Sequence, residues 1–179
     1  TIRNQLTAAF STLKAANENK SFIFMNDKES YFIEAITPPN RIIIIGAVHI
    51  AQVLAPMAIV VGFQVVVIDP RKSFATLERF PSVEIINDWP SQALANLSVS
   101  DRTAIVILTH DPKIDDQVLQ GALESSAFYV GALGSNRTNE KRLNRLKDMG
   151  LNKDDLMRLH GPIGLDIGAK LPAEIATAI

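Results

Sequence analysis

RIIIIGAVHIAQVLAP, residues 41–56, is the stretch on which the predicted fold of this chain depends. Four consecutive isoleucines lead into a glycine and then into an apolar segment with helical spacing, which is the order of strand, tight turn and helix that opens a dinucleotide-binding fold. The motif of that fold, Gly-x-Gly-x-x-Gly/Ala, would fall here on Gly46, Val48 and Ala51. Its middle glycine, which lets a pyrophosphate lie against the backbone, is therefore replaced by a valine.

The rest of the chain alternates strand and helix patterns. Short β-branched runs predict strands at residues 41–45, 64–68, 83–86, 103–109 and 127–133. Helical patterns lie at residues 50–60, 91–97, 114–125, 137–150 and 172–179. Nearly continuous apolar runs separated by helices are typical of parallel strands that are buried on both faces. We therefore predict an α/β fold, a Rossmann-like doubly wound, mainly parallel sheet with helices on both faces.

The first 40 residues have a different texture. Residues 1–20 predict a helix, and the aromatic runs that flank the turn-like NDKES in residues 21–36 predict a hairpin. Pro38 and Pro39 then form a stiff connector. We predict a small N-terminal helix-hairpin appendage at residues 1–40, followed by a Rossmann-like domain at 41–179.

The composition excludes several classes of protein. A formal net charge of -1 on 179 residues gives no electrostatic reason to expect nucleic acid or an anionic membrane as a partner. No apolar run approaches the roughly 20 residues of a membrane span, and the N-terminus lacks the apolar core of a signal peptide. Because the chain has no cysteine, it forms no disulfide and carries no persulfide. A cytoplasmic protein is the default expectation.

The three histidines mark one edge of the predicted sheet. His49 lies in the turn after the first strand, His110 and Asp111 follow the strand at 103–109, and His160 opens a glycine-rich loop. Ligands of open parallel sheets bind beyond the carboxyl ends of the strands, so these side chains are predicted to lie in a binding site. The alternative is that each is a hydrogen-bonded structural histidine. Zinc or iron would suit such ligands, but no local spacing supports a metal site and none is predicted.

Asp69 ends the second predicted strand, 23 positions after Gly46. A carboxylate at about this distance holds the ribose hydroxyls in dinucleotide-binding folds. The alternative is a turn residue, because Asp-Pro commonly begins a turn, and Arg71 could favour a phosphate instead.

A second glycine-bearing turn, GALGSNR, joins the last predicted strand to a helix. The backbone amides of Gly134, Ser135 and Asn136, with Arg137 at the start of the helix, are predicted to hold an anion. The alternative is an ordinary turn in which Asn136 or Thr138 caps the helix. The basic residues of this helix are predicted to face solvent: Lys141, Arg142, Arg145 and Lys147.

A third loop, GPIGLDIGAK, packs three glycines and a proline into residues 161–170. Gly164 and Asp166 are predicted to line a ligand, because a plain connection rarely needs so many special backbone positions.

Four segments together resemble the XdhC/CoxI family of accessory proteins for xanthine dehydrogenase and related molybdenum hydroxylases. They are YFIEAITPPNRIIIIGAVHIAQVLAP from residue 31, LTHD from 108, YVGALGSNR from 129 and RLHGPIGLDIGAKLPAEIA from 158. The resemblance implies a Rossmann-like domain that binds the molybdenum cofactor (molybdopterin) and helps deliver it, after sulfuration, to the apo-enzyme. It implies a cofactor-binding protein rather than a turnover enzyme, with the molybdenum hydroxylase apo-enzyme and a cysteine desulfurase as partners.

The chain departs from this family in three places. The usual GAGH is GAVH here, so Val48 would stand where a phosphate approaches or would force an unusual φ. Leu171 replaces a threonine before the last helix, which removes an N-cap of about 1 kcal/mol. The larger, cysteine-containing N-terminal domain of the family is missing, so the chain is either a short relative or part of a longer one, and sulfuration would fall to a partner.

Two other functions compete with this one. An NAD(P)-dependent Rossmann oxidoreductase would depend on Asp69 and would bind its cofactor more tightly after Val48→Gly, but no Tyr-x-x-x-Lys pair is present. A ligand-less interaction scaffold would also be consistent with Val48. The N-terminal helix and hairpin, too small to fold alone, would suit a homodimer contact.

Overall fold

The structure is a computed structural model that describes residues 3–4, 6–7, 10–11, 21–25, 30–34, 36–109 and 111–179. The chain divides into two compact units, Thr1–Pro38 and Pro39–Ile179. In the first unit, strands β1 (Phe22–Met25) and β2 (Ser30–Ile33) pair antiparallel, with Phe22 opposite Ile33. Most of the predicted N-terminal helix lies outside the described residues.

The second unit contains a six-stranded parallel sheet. Its strands are β3 (Arg41–Ile45), β4 (Gln64–Ile68), β5 (Glu84–Ile86), β6 (Thr103–Ile107), β7 (Tyr129–Ala132) and β8 (Leu159–His160). They lie in the order β5-β4-β3-β6-β7-β8, and every neighbouring pair is parallel. Counted from β3, this is the order 3-2-1-4-5-6 of the Rossmann fold, which confirms the predicted architecture. Strand β8 is absent from the sequence prediction, because two residues carry no periodic signal.

Six helices accompany the sheet in the described part of this unit. They are α1 (His49–Val60), α2 (Pro90–Asn96), α3 (Pro112–Glu124), α4 (Asn136–Asp148), α5 (Lys153–Met157) and α6 (Pro172–Ala178). Pro90 and Pro172 stand in the first turns of α2 and α6, where proline's missing N–H costs no hydrogen bond. The five-residue helix α5 is also absent from the sequence prediction, because it is too short to show a helical period.

The four isoleucines of β3 show why the helices cover both faces. Ile42 and Ile44 pack into a core with α1 and α6, whereas Ile43 and Ile45 pack into a second core with α2, α3 and α4. Side chains alternate along a strand, so an unbroken apolar run supplies both cores at once. All four are at most 6% exposed, and each contributes about 1.5–3 kcal/mol of hydrophobic stabilisation. This sheet places the loops after β3, β4, β6 and β7 at one edge.

Candidate functional site

The turn after β3 requires glycine at its first position. Gly46 has a φ of +102°, a conformation that L side chains rarely adopt, and its N–H donates to the carbonyl of Ile68 at 2.9 Å. A Cβ at this position would lie 2.7 Å from Cγ2 of Thr109. The glycine therefore allows the turn after β3 to lie directly against the end of β6, at the point where the strand order reverses.

Val48 occupies an ordinary backbone position. It is the N-cap of α1 with φ -87° and ψ 176°, so the expectation of an unusual φ is wrong. Its half-buried side chain packs against the core that α1 shares with the sheet and also lines a cavity. Valine offers no side-chain cap, and the first turn of α1 contains no acidic residue. The amides that begin α1 therefore have no side-chain acceptor of this kind, and the helix dipole favours an anion there.

Asp69 binds the turn after β3 to the end of β4. Its carboxylate is 1% exposed; Oδ2 accepts from the Ala47 N–H at 2.8 Å, and Oδ1 accepts from the Arg71 N–H at 2.9 Å. The Arg71 guanidinium donates to both oxygens, at 2.9 and 2.7 Å. Burial alone would raise the pKa of Asp69, but these hydrogen bonds and the charge of Arg71 bring the pKa below its ordinary value of 3.8. A ribose hydroxyl would have to replace one of these four donors.

The first cavity, of about 610 Å³, opens beyond the carboxyl ends of β4 and β6. Its wall includes Val48, Asp69, Arg71, Trp89, Thr109 and Asp111. Trp89, at the start of α2, is 54% exposed, and the guanidinium of Arg71 lies 4.1 Å from the ring centroid of Phe74. His49 is exposed and does not line this cavity, while His110 lies outside the described residues. The site thus combines an aromatic surface with carboxylates and a guanidinium.

The second cavity, of about 540 Å³, lies beyond the end of β7. It brings together the two predicted glycine-rich loops, since Gly134, Ser135 and Asn136 face Gly164 and Asp166 across it. Arg137 is exposed and does not line this cavity. Neighbouring strands of a sheet are about 4.8 Å apart, so the adjacent strands β6 and β7 place the two cavities side by side.

The cap of helix α4 differs from the predicted one. The Ser135 hydroxyl accepts from the Thr138 N–H at 3.2 Å, so Ser135 caps this helix rather than Asn136 or Thr138. Leu171 provides no side-chain cap for α6, as expected. Glu174 partly replaces it, because its carboxylate accepts from the N–H groups of Lys170 and Leu171 at 2.7 and 2.9 Å.

The third loop is held against the sheet by hydrogen bonds to distant residues. Asn139 donates to the carbonyl of Gly161 at 2.6 Å, and the Leu165 N–H donates to the carbonyl of Ala178 at 2.9 Å. Gly164 has a φ of +84°, and a Cβ there would lie 2.8 Å from that same carbonyl oxygen. The second cavity is therefore formed in the folded chain without a ligand.

His160 does not join the other histidines. Its ring stacks on Tyr129, with centroids 4.6 Å apart, and it lines neither cavity. Burial raises the pKa of the Tyr129 phenol, against the opposite effect of a hydrogen bond with the backbone of Gly164. Across the described ranges, from which residue 110 is missing, no three histidine, aspartate or glutamate side chains cluster as metal ligands.

Arg142 is buried, contrary to the prediction that it faces solvent. It is 2% exposed, and its Nη2 donates to the Leu133 carbonyl at 2.8 Å and lies 3.9 Å from Oδ2 of Asp115. Asp115, itself 3% exposed, accepts a hydrogen bond from the Thr109 hydroxyl. Burial lowers the pKa of Arg142, while the nearby carboxylates raise it. This buried cluster links the ends of β6 and β7 beneath the two cavities.

The sequence contains one signal that could have identified Arg142. It stands four residues before Leu146, which is fully buried, and residues four apart share a helix face. Lys141 and Lys147 are exposed as predicted, and Arg145 pairs with Asp116 through Nη2 and Oδ1 at 3.0 Å.

A Rossmann-type sheet with two preformed cavities beyond its carboxyl edge defines the class of this chain, a ligand-binding α/β domain. The model of the XdhC Rossmann domain matches residues 42–179, and the chain belongs to that family.

Relatives of known sequence agree with this assignment. The chain is 32% identical over 149 residues to a protein of Bacillus subtilis (strain 168) whose name describes it as a probable subunit of xanthine dehydrogenase, covering 83% of this chain and 43% of that protein. It is 36% identical over 81 residues to the molybdenum cofactor insertion chaperone PaoD of Escherichia coli (strain K12), covering 45% of this chain and 25% of PaoD.

A crystal structure described as a xanthine dehydrogenase from Bacillus halodurans superposes with a TM-score of 0.70 at 31% identity, over 86% of this chain and 45% of that one. The chain thus spans less than half the length of each of these relatives. Within the described part of the chain, no helix is long and apolar enough to cross a membrane.

Proposed function

We propose that this chain binds the molybdenum cofactor in the cytoplasm and assists its insertion into a xanthine dehydrogenase-type molybdoenzyme. The observation that carries the proposal is the pair of adjacent cavities, of about 610 and 540 Å³, at the edge where the strand order reverses. Each is within the usual size range of small-molecule sites, and together they suit an elongated ligand with two chemically different ends.

The first cavity has the donors and acceptors that a pterin requires. A pterin is a flat heteroaromatic ring with hydrogen-bonding edges. Trp89 offers a half-exposed ring for stacking, while Asp111 and Thr109 offer polar atoms on the same wall. We assign Trp89 to ring stacking and Asp111 to the pterin edge.

The second cavity suits the phosphate end of the same ligand. The turn at Gly134, Ser135 and Asn136 leads into α4, a 13-residue helix whose dipole favours negative charge at its start. When bound, the cofactor supplies the molybdenum centre that the client enzyme uses. This chain would hold its two ends until the client accepts it.

The chain itself has no cysteine, so it cannot carry a persulfide. Sulfuration of the cofactor is therefore assigned to a partner, a cysteine desulfurase, and the apo-molybdenum hydroxylase is the second partner. A homodimer is a further proposal, with the N-terminal unit as the contact.

Retention of the cofactor tests the proposal directly. We expect the purified chain, incubated anaerobically with released molybdenum cofactor and desalted, to retain nearly stoichiometric pterin, quantified by its oxidised fluorescence. Trp89 is the only tryptophan of the chain, so quenching of its fluorescence reports on the first cavity. Trp89→Ala is expected to weaken retention about tenfold, because base stacking on an aromatic ring contributes roughly 1–3 kcal/mol.

Phe128→Ala is the matched control for this experiment. Phe128 is 52% exposed, close to the value for Trp89, but it precedes β7 and so lies at the opposite edge of the sheet. Its replacement should leave retention unchanged. A wild-type chain that retains no pterin, or equal losses in the two variants, would contradict the proposed site.

Val48→Gly distinguishes the nicotinamide alternative. Because Val48 already has an ordinary φ, glycine is not needed by the backbone, and the variant should lose only about 1 kcal/mol in free energy of unfolding, measured in urea. It enlarges the space in front of α1. If NADH then binds strongly while pterin does not, the cofactor-carrier role is wrong and the oxidoreductase alternative gains support.

A further inference from the structure

The guanidinium of Arg142 has more hydrogen-bond donors than its surroundings use. Its Nη2 donates to the Leu133 carbonyl, but Nε and Nη1 are buried and have no acceptor among the residues that the structure describes. Asp115, the nearest carboxylate, is 3.9 Å from Nη2 and is already engaged by the Thr109 hydroxyl. Buried donors are almost always paired in folded proteins, so two unpaired ones on one charged group require an explanation.

The unpaired Nη1 faces the start of helix α4. A Cβ placed on Gly134 would lie 3.6 Å from Nη1, and 3.1 Å from Cγ2 of Thr138. The absence of a side chain at Gly134 thus leaves a gap between the turn and the guanidinium. Gly134 precedes the cap residue Ser135, so this gap lies where the first-turn amides of α4 point outward.

The charges around the gap favour an anion. Arg142 and Asp115 balance one another, and so do Arg145 and Asp116, which leaves Arg137 and the positive end of the α4 dipole as the net contribution at the turn. A guanidinium and backbone N–H groups are the donors that phosphate oxygens accept from.

We infer that Arg142, Gly134 and the first turn of α4 form a subsite for a phosphate-like anion. This inference rests on the proposed function for its location in the second cavity, and it adds the charged residue that would recognise the anionic end of the ligand. Free phosphate and a cofactor phosphate share this chemistry, so the two are tested separately.

Inorganic phosphate is the probe for the subsite itself. In ¹H–¹⁵N spectra of the uniformly labelled wild-type chain, titration with phosphate should shift the backbone amides of Gly134 and Asn136 and the Nε–H of Arg142 with one saturable, millimolar-range curve. Sodium chloride at the same ionic strength is the control. Saturable binding that leaves these three signals in place, or no saturable binding, would overturn the inference.

Substitution gives an independent measure. Arg142→Met keeps the length of the side chain and is expected to weaken phosphate binding about tenfold or more in equilibrium dialysis, since it removes a charged hydrogen-bond donor. Lys141→Met, which removes the same charge from an exposed neighbouring position, should change the dissociation constant less than about twofold. Equal binding by wild type and Arg142→Met would overturn the inference; if that variant does not fold, the wild-type spectra decide.

The cofactor experiment separates this inference from the proposed function. Phosphate binding at Arg142 without retention of pterin would support the subsite and contradict the cofactor role. Pterin retention that is unchanged in a folded Arg142→Met variant would support the cofactor role and contradict the subsite.

Discussion

Replacement of Gly46 by alanine is expected to lower the free energy of unfolding by about 2–5 kcal/mol. The left-handed φ of +102° costs an L residue roughly 1–2 kcal/mol. A Cβ 2.7 Å from Cγ2 of Thr109 and 3.3 Å from its backbone nitrogen adds a steric cost of about 1–3 kcal/mol, because the end of β6 would have to move. Urea unfolding monitored by circular dichroism measures the sum.

Gly62→Ala is the matched control for the backbone part of this cost. Gly62 also has a positive φ, +89°, but nothing lies within 4 Å of the position that its Cβ would take. We expect it to lose only about 1 kcal/mol, so the difference between the two variants reports the contact with Thr109. Equal losses would show that the turn after β3 does not press against β6.

Gly46→Ala should also affect binding. The Gly46 turn carries Ala47, whose N–H binds Asp69, and Val48, which lines the first cavity. A shift of the turn would therefore disturb the cavity wall even in molecules that remain folded, and pterin retention should fall with stability.

Asp69→Asn is expected to lower the free energy of unfolding by about 2–3 kcal/mol at neutral pH. The substitution removes the charge that the Arg71 guanidinium pairs with and places an amide NH₂ against donors, while Ala47 N–H still has an acceptor. Because Arg71 is about half exposed, solvent reduces the cost of leaving it unpaired, which keeps the expected loss moderate. Asp101→Asn, an exposed carboxylate, should change stability by less than about 0.5 kcal/mol.

The pH dependence of this loss has a defined sign. The pKa of Asp69 is lower in the folded chain than its ordinary value of 3.8, so the carboxylate stabilises the fold above that value. The difference between wild type and Asp69→Asn should be constant above about pH 5 and should shrink as the pH falls through 3.8 towards the folded pKa. A difference that grows on acidification would mean that the Asp69 pKa is raised, and that the pairing with Arg71 is weaker than the structure indicates.

The position of Asp69 illustrates what limits prediction of the site. Its place at the end of β4 follows from the strand pattern, which predicts that its carboxylate faces a ligand. Its burial, and its four hydrogen bonds to Ala47 and Arg71, depend on how closely the turn after β3 approaches β4. No local pattern encodes that distance, so a role for Asp69 in ribose binding stays a prediction.

Local sequence patterns were sufficient for the fold class and for the edge of the sheet at which the loops collect. Runs such as RIIII and TAIVI are buried on both faces whatever their partners are, and alternation with helices makes the strands parallel, so periodicity along the chain is enough. The role of Gly46 was predictable for the same reason, since a tight strand-to-helix turn needs a residue with its φ.

Which side chains meet, in contrast, depends on tertiary packing. Arg142 and Asp115 are 27 positions apart, and Arg142 is buried because α3 and α4 pack on one face of the sheet and enclose both. The sequence predicts His160 beside the other histidines, but β8 pairs with β7 in a register that stacks its ring on Tyr129 instead. Secondary structure follows from neighbours along the chain, whereas contacts between its elements depend on register and packing distance, which are properties of the whole fold.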